Sequence, residues 1–215
     1  MIIALDGPAA AGKGTLARRL ASKFNLATLD TGGLYRATGL RALESGGNPA
    51  DPAVAEAAAK AVRADDMANP ALREERVGAA ASIVAAIPEV RAALLAFQRD
   101  FAHHPPAGFD GAVLDGRDIG TVVCPDADVK LYVTASAEAR ATRRFKELQE
   151  KGVESIYSRV LQDIEQRDAR DMAREAAPLK PADDALELDT TALDADAAFQ
   201  TAADLIARKL SRQPC

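Results

Sequence analysis

A short apolar run at the start of the chain leads directly into a glycine-containing loop, a lysine and a helical pattern. The run covers residues 2–5, and the loop continues as Gly7, Pro8, Ala9, Ala10, Ala11, Gly12, Lys13, Gly14 and Thr15. Glycine tolerates backbone angles that other residues avoid, so the loop can curl and point several N–H groups at one anion. The following helix adds the positive end of its dipole. The sequence therefore predicts a strand, a phosphate-binding loop and a helix.

A plainer interpretation of the same residues is a glycine turn between a strand and a helix, with Lys13 on the surface. The loop spacing, the lysine and the strand–helix context together favour phosphate binding. One detail departs from the strict pattern, because Gly14 follows the lysine and the hydroxyl of Thr15 comes one position late. We expect Thr15 to reach a metal ion through water.

Length and charge narrow the class of protein. A chain of 215 residues suits one α/β domain with an inserted or mobile lobe. A net charge of −5 and the absence of Trp argue against a nucleic-acid polymer as partner. No apolar run approaches a membrane span, and Met1 leads straight into the first strand. We expect a cytoplasmic monomer with no signal peptide and no membrane partner.

The cysteines and histidines suggest no metal site. Cys124 and Cys215 lack metal-ligand spacing, which fits a reduced cytoplasmic setting. We expect Cys124 to be a small buried hydrophobe and Cys215 to be an exposed thiol without a role. His103 and His104 precede two prolines and are expected in a loop without an assigned function.

Apolar stretches alternate with helical patterns along the chain. Strands are predicted at 2–5, 27–29, 112–114, 129–133 and 186–188. Helices are predicted at 15–24, 34–44, 53–64, 79–86, 90–101, 137–151, 156–173 and 195–210. This order predicts an α/β fold, a parallel five-stranded sheet with helices on both faces. Ligands bind at the carboxyl ends of such strands, where Asp6, Asp30 and Asp115 are expected to follow three of them.

Two segments differ from this alternation. Residues 46–88 have no strand pattern, and we expect a lobe inserted into a core of residues 1–45 and 89–215. The alternative is an ordinary pair of helices packed on the sheet. A turn at 149–152 predicts the tip of a mobile lid over about 143–157.

Arginines are concentrated in one part of an otherwise acidic chain. They are Arg140, Arg143, Arg144, Arg159, Arg167, Arg170 and Arg174. On one helix, positions 167, 170, 171 and 174 share a face. Fixed guanidinium groups neutralise the charge of a phosphoryl group in transfer. Surface ion pairs are the alternative explanation, and such pairs contribute little to stability.

Five blocks of the chain, in this order, resemble the bacterial cytidylate kinases. They are residues 6–15, 30–36, 81–91, 114–123 and 167–179. The Gly-Lys-Gly-Thr form of the loop resembles that of nucleoside monophosphate kinases, and the Asp-Gly-Arg-Asp-Ile-Gly-Thr run at 115–121 is more specific. The resemblance implies ATP-dependent phosphorylation of CMP and dCMP to CDP and dCDP, with Mg²⁺. Residues 46–88 are shorter than the strand-rich insert of many members.

The resemblance also implies roles for individual residues. The loop from Gly7 to Thr15 would bind ATP, and Lys13, Arg117 and Arg174 would be catalytic. The implied acceptor site comprises Thr31, Arg36, Ser82, Arg91, Arg117, Asp118, Arg167, Asp171 and Arg174. Within it, Arg36, Arg117 and Arg174 would clamp the acceptor phosphate, and Arg167 and Asp171 would contact the sugar and phosphate end. Thr15 and Asp115 would hold Mg²⁺ through water.

The chemistry of cytosine agrees with the implied base-binding residues. Its N4 amino group is a donor that the Asp118 carboxylate can accept, and Arg91 and Ser82 can donate to its ring nitrogen and O2. Uracil would place an oxygen against Asp118. Two alternatives stay open: another small kinase, such as an adenylate or shikimate kinase, and a nucleotide-dependent switch. A switch would not need a second phosphate clamp, and the Asn-Lys-x-Asp stretch that reads guanine is absent.

Overall fold

A five-stranded parallel sheet organises the chain. The computed structural model describes residues 1–211, apart from the side chain of Ala64, so the expectation for Cys215 lies outside the described residues. The strands are β1 (Ile2–Asp6), β2 (Ala27–Asp30), β3 (Ala112–Asp115), β4 (Val129–Thr134) and β5 (Leu186–Asp189). Their order across the sheet is β2-β3-β1-β4-β5. The predicted α/β fold is confirmed.

The central strand β1 pairs with β3 on one side and β4 on the other. Leu5 lies opposite Asp115, and Asp6 lies opposite Tyr132. Asp6, Asp30 and Asp115 are therefore the last residues of their strands, so the prediction that they follow the strands was wrong by one position. Pairing with the neighbouring strand extends β1 and β3 to these carboxylates although the apolar pattern has already ended.

Eight helices connect and cover the strands in the described part of the chain. They are α1 (Lys13–Phe24), α2 (Thr31–Glu44), α3 (Pro52–Lys60), α4 (Glu75–Val84), α5 (Pro88–His103), α6 (Ala137–Glu150), α7 (Tyr157–Met172) and α8 (Ala195–Leu210). Short 3₁₀ helices cover Ala64–Ala68 and Pro70–Arg73, and a π-helical turn covers Ile119–Val123.

Local hydrogen bonds explain where the helix predictions fail. The expected helix at 53–64 stops at Lys60, because the Asp66 carboxylate accepts from the Arg63 N–H at 2.7 Å and starts a 3₁₀ turn. Helix α1 begins at Lys13, two residues early, so the lysine belongs to its first turn. His103 ends α5 instead of lying in a loop.

One face of the sheet is covered by α1 and α8. Leu20 of α1 and Ile206 of α8 are fully buried in one cluster with Ile3, Leu5 and Leu131. Burying each such side chain stabilises the fold by about 1.5–3 kcal/mol. Cys124 is also fully buried, as expected.

The chain divides into two compact units. One comprises Met1–Thr28 and the chain from Ala102 onward, and the other comprises Leu29–Phe101. The second unit has its own core around Leu40, Leu72 and Val77. Residues 46–88 fall within it and form only helices and turns. The exact bounds of an inserted lobe stay a prediction.

None of the helices in residues 1–211 is, by itself, long and apolar enough to cross a membrane. Helices α4 and α5 satisfy the length and composition criteria only as a pair, and that pair is bent by 99°.

A close approach between backbones fixes the start of the glycine loop. Gly7 has a φ of 146°, and a Cβ atom there would lie 1.9 Å from the Val133 carbonyl oxygen of β4. No side chain fits at that distance. The loop can therefore leave β1 along this path only with glycine at position 7.

We expect Gly7→Ala to lower the free energy of unfolding by about 3 kcal/mol or more, because backbone atoms cannot move aside as a side chain can. Gly108→Ala is the matched control, since Gly108 has a φ of 96° but open space around its Cβ position. It should cost only about 1–2 kcal/mol, the penalty of the left-handed backbone. Urea unfolding measures both, and equal losses would contradict the proposed clash.

Candidate active site

The loop after β1 has the curled backbone expected of an anion site. Three of its residues have positive φ angles: Gly7, Ala10 at 59° and Gly12 at 91°. The Lys13 ammonium donates to the Pro8 carbonyl at 2.8 Å, so the lysine side chain folds back over the loop. No acidic residue lies in the first turn of α1. No residue of the helix itself therefore offsets its positive end, which favours a bound anion.

Burial changes the charge state of Lys13. Its side chain is only 5% exposed, and its Nζ lies 3.8 Å from Asp115 Oδ1. Burial, followed by the nearby Arg117 guanidinium, lowers the pKa of Lys13 to about 7, although Asp115 and Asp6 oppose this. A bound polyanion would favour the charged form.

Asp6 connects the end of β1 to the segment that contains Arg117 and Asp118. Its carboxylate accepts from the N–H groups of Ile119 and Gly120, each at 2.7 Å. Burial raises the pKa of Asp6 to about 6, and the two hydrogen bonds oppose the rise. No motif in the sequence indicates a role for this residue. Its only signal was a carboxylate at the end of an apolar strand.

A single buried carboxylate holds two of the predicted catalytic arginines. Asp171 accepts from Arg117 Nε at 3.0 Å, and its other oxygen accepts from Arg174. Asp171 is almost fully buried, whereas both arginines retain some exposure. Two guanidinium groups on one carboxylate leave a net positive charge. The structure therefore brings Arg117, Asp171 and Arg174 together in an arrangement that attracts a phosphate.

The predicted shared helix face is only partly correct. Helix α7 ends at Met172, so Arg174 lies beyond it and returns to Asp171 through the turn. Arg170 is exposed, whereas Arg167 is half-buried. The helical spacing predicted the grouping of charges but could not locate the end of the helix.

Other arginines of the same zone bind the protein itself. Arg143 donates to Thr190 Oγ1 at 3.1 Å and to the Leu193 carbonyl at 3.2 Å. Arg144 pairs with Glu147 at 2.9 Å. Arg140 is buried and pairs with Asp168 at 2.6 Å. The zone therefore contains both arginines that face solvent and arginines that connect elements.

The remaining predicted residues of the first unit lie near the loop or follow β3. Asp118 is buried, and its carbonyl accepts from the Val122 and Val123 N–H groups at 2.9 and 3.1 Å. Asp115 Oδ2 would lie 3.5 Å from a Cβ at Gly14. Thr15 is exposed, and its hydroxyl accepts from Arg18 at 3.3 Å.

These donors do not form a complete metal cage. Within residues 1–211, no group of three or more His, Cys, Asp or Glu residues could hold a metal ion. Mg²⁺ prefers six oxygens and usually keeps several waters beside substrate phosphates. Asp115 and Thr15 therefore fit an ion that arrives with a nucleotide.

The second unit contains the other predicted residues. Thr31 is buried at the start of α2, where Asp30 caps the helix by accepting from the Gly33 N–H at 3.2 Å. Arg36 donates to the Leu72 carbonyl at 3.0 Å. A Cβ at Gly78 would lie 3.2 Å from Arg36 Nη1, so glycine leaves space for the guanidinium.

Helices α4 and α5 carry two of the three residues expected to read a base. Ser82 is buried on α4. Arg91 of α5 donates to the Ala85 carbonyl at 3.2 Å, and its guanidinium lies 5.6 Å from the centre of the Tyr35 ring. The backbone and the ring thus fix the direction of the Arg91 side chain.

Sequence comparisons identify close relatives along almost the whole chain. The sequence model of the cytidylate kinase family matches residues 3–208. A cytidylate kinase of Paramagnetospirillum magneticum is 61% identical over 208 residues, which cover 97% of this chain and 98% of that protein. One from Rhodospirillum rubrum is 55% identical over 209 residues, with 97% and 98% coverage.

Solved structures with much lower sequence identity share the fold. An uncharacterized protein from Eubacterium ventriosum has a TM-score of 0.53 at 13% identity, with 99% of both chains covered. A sugar kinase from a Janibacter species has a TM-score of 0.50 at 14% identity, with 96% and 94% coverage. At these identities the likeness concerns the fold alone.

Asp6→Asn should remove one component of the pH dependence of stability. In the wild type, the raised pKa means that the Asp6 contribution is fully present below pH 3.8 and is lost as the pH rises through about 6. Asparagine does not titrate. The stability of Asp6→Asn relative to wild type should therefore improve by about 2 kcal/mol between pH 4 and pH 7.

Urea unfolding at several pH values measures this difference. Asp110→Asn serves as control, because Asp110 is exposed, and its stability relative to wild type should change much less over the same range. A pH-independent difference between Asp6→Asn and wild type would contradict the raised pKa.

Proposed function

The chain belongs to the cytidylate kinase family, and we propose that it transfers the γ-phosphoryl group of ATP to CMP and dCMP, forming CDP, dCDP and ADP. Lys13, buried against the curled loop, carries this proposal. The pair of arginines on Asp171 adds a second cationic group in the same unit. A kinase of this kind needs both, one for the donor and one for the acceptor phosphate.

The donor side of the reaction uses the loop from Gly7 to Thr15. Its N–H groups and the first turn of α1 would bind the ATP phosphates. Lys13 would neutralise charge on the β- and γ-phosphates as the bond to the γ-phosphorus breaks. Mg²⁺, held through water by Thr15 and Asp115, would supply further neutralisation of the phosphates when bound.

The acceptor phosphate attacks in line and needs no general base, because it is already ionised. Arg36, Arg117 and Arg174 are the proposed clamp, Arg167 and Asp171 are proposed to contact the sugar and phosphate end, and Thr31 is proposed to belong to the same acceptor site. Little covalent work is required of the protein, so positioning and charge neutralisation account for the rate. Lys13, Arg117 and Arg174 are the proposed catalytic residues.

Base selection is proposed to use Ser82, Arg91 and Asp118. The first two would donate to cytosine O2 and N3, and the Asp118 carboxylate would accept from the N4 amino group. The fixed direction of Arg91 favours such a role, because a preset donor loses less entropy on binding.

We also propose a mobile lid and a cytoplasmic location. Residues 151–156 interrupt the helices α6 and α7, and the exposed Val153 and Ile156 lie in this break. Closure of a lid over 143–157 would keep water from the γ-phosphate. The net charge of −5 argues against nucleic-acid polymers as partners, and we propose a cytoplasmic monomer that acts on nucleotides and has no membrane partner.

A panel of acceptors tests the function directly. ADP formation is measured with ATP and Mg²⁺ in the presence of CMP, dCMP, UMP, AMP or shikimate. We expect rapid ADP formation with CMP and with dCMP. Preference for AMP or shikimate would support another small kinase, and ATP hydrolysis independent of any acceptor would support a switch.

Lys13→Ala should reduce kcat by roughly 10²–10³, the scale of losing one preorganised charge donor. Lys23→Ala is the control, because Lys23 is an exposed cation on the same helix and should retain wild-type turnover. Circular dichroism checks that both variants fold. Near-normal turnover by folded Lys13→Ala would reject the assignment of the loop.

Asp118→Asn should shrink the preference for CMP over UMP. Wild type should favour CMP by at least about tenfold to a hundredfold, since a good base contact contributes ~1–3 kcal/mol of discrimination. The asparagine amide can donate to uracil O4, so kcat/KM should fall more for CMP than for UMP. Asp163→Asn, at an exposed position of α7, should leave the ratio unchanged.

If Asp118 only supports Arg117, both substrates will lose equally in Asp118→Asn. Measured kcat/KM values for the two nucleotides therefore distinguish base selection from a supporting role.

A further inference from the structure

Arg140 is a buried cation at the start of α6 that contacts three separate parts of the first unit. Its Nε donates to the Ala135 carbonyl at 2.9 Å, just after β4. One terminal nitrogen donates to the Ala9 carbonyl of the glycine loop at 3.2 Å, and the other donates to Asp168 of α7 at 2.6 Å. A single side chain thus connects the loop, the end of β4 and α7.

A gain in stability does not by itself explain why Arg140 and Asp168 form an ion pair in the interior. Arg140 is 5% exposed and Asp168 13% exposed, so both charges are largely removed from water. The cost of desolvation often equals or exceeds the attraction within such a buried pair. A buried pair with directional hydrogen bonds does, however, impose a specific geometry on the elements that it connects.

The first element is the glycine loop. A trans peptide unit is planar, so its C=O and N–H groups point in opposite directions. Because the Ala9 carbonyl points at Arg140, the N–H of Ala10 must point away from it. Ala10 itself adopts a left-handed φ of 59° and packs against Ala141, Val160 and Ile164. Arg140 therefore fixes the orientation of a loop N–H.

The second element is the part of α7 that holds the arginine pair. Asp168 and Asp171 are one helical turn apart, and both are buried. Asp168 binds Arg140, while Asp171 binds Arg117 and Arg174. Any shift of α7 along its axis would move this arginine pair relative to the glycine loop. The contact between Arg140 and Asp168 opposes that shift.

We propose that Arg140 is a positioning residue that, through Asp168, sets the distance between the glycine loop and the arginine pair formed by Arg117 and Arg174. This inference rests on the proposed function, in which the loop receives the donor phosphates and the pair holds the acceptor phosphate. Arg140 contacts neither substrate. It acts by aligning the reacting atoms, whose misplacement by 1 Å can reduce a rate by about a hundredfold.

Arg140→Lys tests this role because lysine keeps the charge, but its single nitrogen cannot reach all three acceptors that the separate guanidinium nitrogens contact. We expect kcat per folded molecule to fall by roughly 10–100-fold, with KM for ATP and for CMP each changing less than about threefold. Arg19→Lys is the matched control. Arg19 also bonds a carbonyl, that of Ala195, and a carboxylate, that of Asp196, but at the surface, and kcat should be unchanged.

Asp168→Asn provides a second variant if Arg140→Lys does not fold. It keeps the size of the side chain but replaces the carboxylate with a neutral amide, which weakens the contact with Arg140, so it should lower kcat in the same direction with similar KM values. Combining the two substitutions should be no worse than about the larger single loss, because both break the same connection.

A double variant separates positioning from a purely structural role. If Arg140 acts through the arginine pair, the loss in Arg140→Lys with Arg174→Lys should be much smaller than the product of the single losses. A structural role would lower the folded fraction and melting temperature, and the losses in kcat would multiply. Multiplying losses, or wild-type kcat in folded Arg140→Lys, would overturn the inference.

Measurements on the wild type distinguish failure of the Arg140 positioning role from failure of the proposed function. Absence of CMP-dependent ADP formation in the wild type would reject the function itself. Wild-type turnover of CMP combined with an unaffected Arg140→Lys variant would reject only the positioning role.

Discussion

The hydrogen bonds to Asp6 are the contact on which the arrangement of the first unit depends. Asp6 ends the central strand and precedes the glycine loop, and its carboxylate holds the backbone that follows Asp118. The glycine loop and the segment that contains Arg117 are thereby both anchored at the end of β1. Burial of this carboxylate is unfavourable, as its raised pKa indicates, but two short charge-assisted hydrogen bonds offset much of the cost.

Other charged residues near the glycine loop show the same balance between the cost of burying a charge and the hydrogen bonds that it makes. Lys13, Asp171 and Arg140 are all withdrawn from water, and each is held by directed contacts instead of by solvent. Such groups add little or nothing to net stability. The apolar cluster between the sheet, α1 and α8 supplies the stability that the polar site does not. The rigid framework and the charged site are therefore largely separate in composition, although they share β1.

The sequence predicted the order of the elements well, because apolar periodicity reflects burial directly. It misplaced strand ends at Asp6 and Asp115, where pairing with a neighbouring strand outlasts the apolar pattern. The arginine-rich zone alone also could not distinguish Arg140, which is internal, from Arg174, which shares Asp171 with Arg117. The contact partners of each arginine determine its place. Arg140, for example, contacts the Ala9 carbonyl, which lies 131 positions away along the chain. Spacing rules describe neighbours within one helix and contain no information on such distant contacts.

The buried environment of Lys13 couples nucleotide binding to protons. Burial lowers the pKa of Lys13 to about 7, which brings the loss of its proton closer to neutral pH. In the proposed function, a polyphosphate beside Nζ would raise that pKa, so binding would draw hydrogen ions from the buffer. The heat of binding would then include the ionisation enthalpy of the buffer, and the affinity for ATP would fall as the solution becomes more alkaline. The burial of Lys13 would thus make the proposed binding of ATP depend on pH.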